Sequence, residues 1–409
     1  MIVRYSIKCS TCEQAHTLRI GMGQEESQTH KFPCRNCAEE IVVRMEIDYS
    51  KVAHREICVT NCVPIEEVES APIVNIEASF LIPAADQGVD QVFPRITQIQ
   101  AMGKAAKENG SLVDFSEIPR DLLGARPFLR ANYSEEWKHL RKAWSLARNG
   151  RTKLSERKVA EGSAEYYSNE PLTGLPDWVF RFSSYMSQPG YEQPFTDIMN
   201  ALRPLYGQSA LQDFVPIYGG ASQERGTRYF TVMRDFFSAY SEFGQAYLYA
   251  TRNISVPEHH TATSVDFEAV RMFYGNTYEH FTSLVDLFAM LNNMLSGRSY
   301  DTFQSLTLQE YRKLDKPARF GPFTSNGAFM SICSEADNHL RNASHHGSFV
   351  LDTVTQMITY HSGKGGTGPA QQISYSAYLE RCVRLFLQIL ALFRVEALLS
   401  RQFGTRTPL

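Results

Sequence analysis

Residues 335–347 read EADNHLRNASHHG. Arg341 and His346 are separated by four residues, a polar Asn342 follows the arginine, and Gly347 stands where a helix ends most cheaply. The chain on both sides of this stretch reads as helical. Upstream, Val270, Tyr274, Tyr278, Phe281, Val285, Phe288 and Leu291 recur at three- and four-residue steps, the apolar stripe of one amphipathic helix with Gly297 as its stop. A loop marked by Pro317, Pro322 and Gly327 follows, and the next helix is expected from about Phe329 to His346. Downstream, Val350, Val354, Ile358 and Tyr360 suggest a strand, GKGGTGP (363–369) a turn, and QISYS (372–376) the returning partner. The last helix carries Leu379, Val383, Phe386, Leu390, Phe393 and Ala397 on its inner side. Gln388, Arg394 and Glu396 interrupt its apolar run, which argues against a membrane span.

This arrangement resembles the HEPN family, whose signature is an arginine, a polar residue (often Asn) and a histidine four to six positions after the arginine. The resemblance covers residues 263–403. It implies a helical bundle with a β-hairpin insertion, a homodimer in which two Arg341–His346 pairs meet, and cleavage of RNA without a metal that leaves a cyclic phosphate. Toxins and antiviral-defence effectors are the common roles. The family spacing selects His346, with His345 as an accessory because it shares the helical face of Arg341. The residue types suit the chemistry in their own right. Histidine exchanges a proton near neutral pH, and arginine presents a permanently charged fork to phosphate oxygens as charge builds on them. Asn342 lies four residues before His346, on one helical face. A plainer reading pairs Arg341 with Asp337 one turn earlier on a solvated face. Many members of the family keep the fold without cleaving anything, so a non-catalytic scaffold binding RNA or protein is the alternative.

The first 63 residues hold six of the eight cysteines. Cys9 and Cys12 are two apart, as are Cys34 and Cys37, with 21 residues between the pairs. Two such knuckles supply the four-sulfur tetrahedron that zinc favours, and four thiolates leave no open position, so the metal is expected to be structural. The segment resembles the zinc-ribbon family over residues 1–60, although its knuckles read CSTC and CRNC, without the usual glycine and proline. Iron satisfies the same spacing. A redox role for either pair would need a βαβ context that the sequence does not show. Cys58 and Cys62 read as buried unpaired thiols, with spare ligands as the other option. Alternation in residues 2–7 (IVRYSI) and 41–47 (IVVRMEI) predicts strands.

The fold class expected is therefore mainly α: a small β zinc ribbon (1–63), a connector with a strand or two (64–99), a helical middle region (100–262) and a HEPN-like bundle (263–409). In the middle region Trp137, Leu140, Trp144 and Ala147 mark one helix, and Tyr229, Val232, Phe236, Tyr240, Phe243 and Tyr247 another. Residues 171–194 are expected to be loop-rich from their prolines. Lys138, Arg141, Lys142 and Arg148 lie mainly away from the tryptophan stripe and form a candidate RNA-contacting patch. The formal net charge of −3 excludes a protein coated in positive charge. The zinc-ribbon segment, with eight basic and eight acidic residues, offers no electrostatic case for RNA; it is a candidate for holding a protein partner or trigger. With no export signal, a cytoplasmic location and reduced cysteines are expected.

Overall fold

A computed structural model describes residues 2–23, 25–51, 53–90, 94–108, 133–345, 349–363 and 367–409. His346 and Gly347 lie outside the described residues, as do residues 364–366 of the glycine-rich turn. About half of the chain is helical, with an N-terminal β region and small sheets. The chain divides into two compact units that are discontinuous in sequence. The first gathers residues 1–132, 239–273 and 342–383; the second gathers 133–238, 274–341 and 384–409. No linear division of the chain anticipates this, because each unit is assembled from segments far apart in sequence. No described helix is long and apolar enough to cross a membrane.

The first unit begins with strands β1 (Ile2–Cys9), β2 (Ala15–Gly21), β3 (Ser27–Pro33), β4 (Glu40–Asp48), β5 (Ala53–Thr60) and β6 (Cys62–Pro64). Residues 64–99 supply β7 (Ile73–Glu77) and β8 (Ile82–Pro83). β7 lies parallel to β2 in a sheet of order β6-β1-β2-β7, and β3, β4 and β5 form a second, antiparallel sheet. The alternation seen in the sequence places Val3, Ile7, Leu18 and Ile20 of one sheet and Ile41, Val43, Met45 and Ile47 of the other in one apolar core. Helix α1 (Pro94–Glu108) follows.

The second unit carries α2 (Tyr133–Arg148), α3 (Thr152–Tyr166), α4 (Leu175–Ser187), α5 (Glu192–Leu202), α6 (Ser209–Gly219) and α7 (Ser222–Ser238). The stretch expected to be loop-rich is thus largely helical. Pro176 and Pro194 stand in first turns, where a missing N–H costs nothing. The tryptophans are core residues, as their stripe spacing suggested. Trp144 and Trp178 are fully buried, and Trp178 packs so closely on Gly162 that a Cβ there would lie 2.2 Å from its ring. The buried carboxylate of Glu136 accepts hydrogen bonds from Trp178 Nε1 (2.9 Å) and Tyr167 OH (2.8 Å).

Three stretches read as single helices are broken, whereas the stripe from Leu379 to Ala397 runs unbroken through Tyr375–Gln402. The stripe from Tyr229 to Tyr247 turns at Ala239 between α7 and α8 (Tyr240–Thr251). The stripe from Val270 becomes α9 (Phe267–Val270), α10 (Phe273–Leu284) and α11 (Asp286–Leu295), and ends at Gly297 with φ +73°. After α12 (Leu308–Lys313), the helix expected from Phe329 to His346 splits into α13 (Gly327–Met330) and α14 (Asn338–His345). Asp337 starts α14 anew, its Oδ1 accepting from the backbone of His339 (2.7 Å) and Leu340 (3.2 Å). Periodicity survives such breaks because the apolar side chains on either side of each break are still buried.

In the first unit β9 (His260–Thr261) pairs with β8, and the expected hairpin is a three-stranded sheet of β10 (Val350–Asp352), β11 (Met357–His361) and β12 (Ala370–Ser374). Helix α15 (Tyr375–Gln402) follows at once.

Candidate functional site

The four-cysteine cluster is built by two copies of one turn. Cys9 ends β1 and Cys34 follows β3. In the first turn Glu13 N donates to Cys9 O at 3.0 Å and Cys9 N to Gln14 O at 2.9 Å; in the second, Ala38 N donates to Cys34 O at 3.0 Å and Cys34 N to Glu39 O at 2.9 Å. The fourth residue after each leading cysteine adopts a left-handed backbone, Glu13 with φ +60° and Ala38 with φ +62°. That position is where a glycine would be at ease, and here non-glycine residues occupy it.

The four sulfurs lie within 4.8 Å of one another, with Cys9 and Cys34 buried and Cys12 and Cys37 half-buried. Cys12 Sγ is 3.6 Å from Cys34 Sγ, and Cys9 Sγ is 3.8 Å from Cys37 Sγ. A tetrahedron with metal–sulfur bonds of about 2.3 Å sets its sulfurs about 3.8 Å apart, so the spacing fits a four-thiolate metal centre. Backbone N–H groups aim at the ligands: that of Gln14 at Cys12, those of Asn36 and Cys37 at Cys34, and that of Glu39 at Cys37. Asn36 and the Gln14 N–H draw the Cys12 thiol down to about 6, which prepares it to bind as thiolate. Burial raises Cys34. His16, wholly buried on β2, places Nε2 3.3 Å from Cys34 Sγ, and burial lowers its pKa. Cys58 and Cys62 do not join the sulfur cluster among the described residues. Cys58 Sγ is 3.7 Å from Tyr5 OH, and the buried Cys62 Sγ is 3.6 Å from Val42 O.

In the second unit Arg341 points to α10, where its guanidinium pairs with the Glu279 carboxylate. Glu279 also lies 3.6 Å from Lys316 Nζ. The Arg341 side chain is 30% exposed, so solvent reaches it beside this partner. The start of the helix is fixed by Tyr274, whose OH donates to Glu335 O and accepts from Asp337 N at 3.0 Å. In the first unit, Asn342 is half-buried, Ser344 buried and His345 exposed.

The candidate RNA-contacting residues divide. Lys138, Arg141 and Lys142 are exposed on α2, and Lys138 pairs with Glu135. Arg148 turns inward, donating to Thr227 Oγ1 at 3.2 Å with its guanidinium 4.6 Å over the Phe230 ring. It lines a groove of about 1000 Å³ beside α3.

Sequence reasoning missed His16 and Glu279. A signal for His16 exists: it lies on the strand that leaves the first knuckle, four residues after Cys12. Nothing in the spacing marks Glu279, which only tertiary packing brings to Arg341. The chain matches no protein-family model, no curated protein and no solved structure.

Proposed function

We propose that this chain is a metal-independent endoribonuclease of the HEPN type, a toxin or antiviral-defence effector, with a structural zinc ion on Cys9, Cys12, Cys34 and Cys37. The observation that carries it is Arg341, set on a newly started helix, oriented by Glu279 and still open to solvent. A guanidinium is a permanently charged planar fork whose geometry matches phosphate oxygens. In the reaction His346 takes the proton of a ribose 2′-hydroxyl as its oxygen attacks the adjacent phosphorus. The 5′-oxygen leaves with a proton from the second copy's His346, and a 2′,3′-cyclic phosphate remains. Arg341 holds the charge that builds on the phosphoryl oxygens, Asn342 orients the imidazole or the phosphate, and His345 is an accessory. The homodimer follows from the family resemblance. The zinc assignment rests on the sulfur spacing and the thiolate set.

The test is cleavage of total RNA and tRNA in EDTA by the wild type, Arg341→Ala and His346→Ala. Fragments from the wild type alone support the nuclease. Equal fragments from all three refute this site. The second reading, a non-catalytic scaffold, is favoured by one fact: Glu279 already compensates Arg341. Glu279→Gln separates the two. In the enzyme it lowers cleavage with RNA affinity kept; in a scaffold it lowers only stability.

A further inference from the structure

We propose that His16 is a positioning residue of the metal centre, donating its Nε2–H to the Cys34 sulfur, and so holding that ligand in place and drawing off part of its charge. His16 is wholly buried, its Nε2 is 3.3 Å from Cys34 Sγ, and its Nδ1 has no hydrogen-bond partner among the described residues. These facts fix the tautomer. With the proton on Nδ1, a buried donor would go unpaired and the Nε2 lone pair would face a thiolate. With the proton on Nε2, the donor is satisfied, and only an acceptor is left bare.

The imidazole is held by the sheet and not by either knuckle. His16 faces Ile7 across the β1–β2 pairing, and Ile7 is two residues before Cys9 on the same strand. Cys34 follows β3 in the other sheet of the same unit. His16 therefore ties one sheet to a ligand of the other. Four thiolates around a divalent ion carry a net charge of −2. Each N–H donated to sulfur spreads that charge and makes the thiolate a weaker base and nucleophile. Cys34 already receives backbone N–H groups from Asn36 and Cys37; His16 adds a side-chain donor.

The inference rests on the metal reading of the four cysteines, and one experiment separates the two. The full chain is loaded with Co²⁺ as wild type, His16→Phe and His16→Gln. The wild type is expected to show a thiolate-to-cobalt charge-transfer band. His16→Phe should shift the band and release metal to a chelator about tenfold faster or more. His16→Gln, which keeps an N–H donor, should recover most of the loss. A band and release rate unchanged in a folded His16→Phe overturn the inference, as does equal impairment in both variants, the mark of a packing role. A wild-type spectrum of three sulfurs and one nitrogen makes His16 a ligand and also overturns it. No thiolate band in the wild type overturns the metal reading and this inference together. Should His16→Phe not fold, ¹⁵N NMR of the wild type decides: protonated Nε2 with bare Nδ1 is required, and the opposite tautomer refutes the proposal.

Discussion

The knuckles and the Arg341 helix solve the same problem, holding a charged side chain in place, by opposite means. Around the four-cysteine cluster, two repeats of one short turn deliver four sulfurs, and the backbone hydrogen bonds that close each turn join residues within five positions, with Asn61 bracing the first turn from far along the chain through Ser10 N (3.1 Å) and Thr11 Oγ1 (2.8 Å). Around Arg341, the partner Glu279 comes from a helix far upstream, and the local helix is restarted by Asp337 after a break. The turns of the first arrangement are written locally, and the second exists only when the unit is packed. Buried carboxylates show a similar contrast. Glu242 of the first unit is met by neutral donors, Tyr375 OH at 2.7 Å, Ser264 Oγ at 3.2 Å and Asp266 N at 3.1 Å. Glu396 of the second unit is met by the Arg225 guanidinium at 2.6 Å and Tyr229 OH at 3.1 Å.

The strongest challenge to this contrast is to remove the zinc proposed for the four cysteines. A structural zinc contributes on the order of 10 kcal/mol, so a chelator or Cys34→Ser should abolish hydrogen-exchange protection in β1 to β4 while the helical circular dichroism persists. Loss of the helical signal as well would show that the β region is not a locally written module.

A smaller effect is expected at Glu396. Replacing it with Ala leaves the buried Arg225 charge without its partner, which should cost about 3–5 kcal/mol in a thermal or urea melt. A cost no larger than that of an exposed pair would mean that water reaches Arg225.

Glu242 sharpens the comparison through pH. Desolvation, the largest effect, raises its pKa from 4.5 to about 7, with the three donors opposing. The folded pKa lies above the unfolded one, so the folded state keeps a proton that the unfolded state has released. Stability should fall as pH rises from about 4.5 to about 7, by roughly 3 kcal/mol at most, and then level off. Glu242→Gln should flatten this part of the stability–pH curve; an unchanged slope assigns the titration elsewhere.

The least effect belongs to the knuckles. Ala38→Gly relieves a left-handed backbone at φ +62° and should stabilise the metal-loaded chain by up to about 1 kcal/mol. Destabilisation would place the strain of the turn in another residue.

Much of this was legible in the sequence. The spacing of Cys9, Cys12, Cys34 and Cys37 marked a four-sulfur cluster because a two-residue gap is a local geometric constraint. Alternation located β1 and β4, and the apolar stripes located the buried faces of the helices, including both tryptophans of α2, because burial follows the period of the backbone. The positions at which those stripes break were not legible, since a turn at Ala239 or Asp337 leaves the period of apolar residues almost unaltered. Tertiary structure alone decided that β7 leaves the expected connector to extend the first sheet, that two discontinuous units share the chain, that Arg341 faces Glu279 and that His16 faces Cys34. Each of these depends on contacts between residues far apart in the chain or on the register of paired strands. Their free energy is gained only when separate segments close on one core, and no local spacing encodes it.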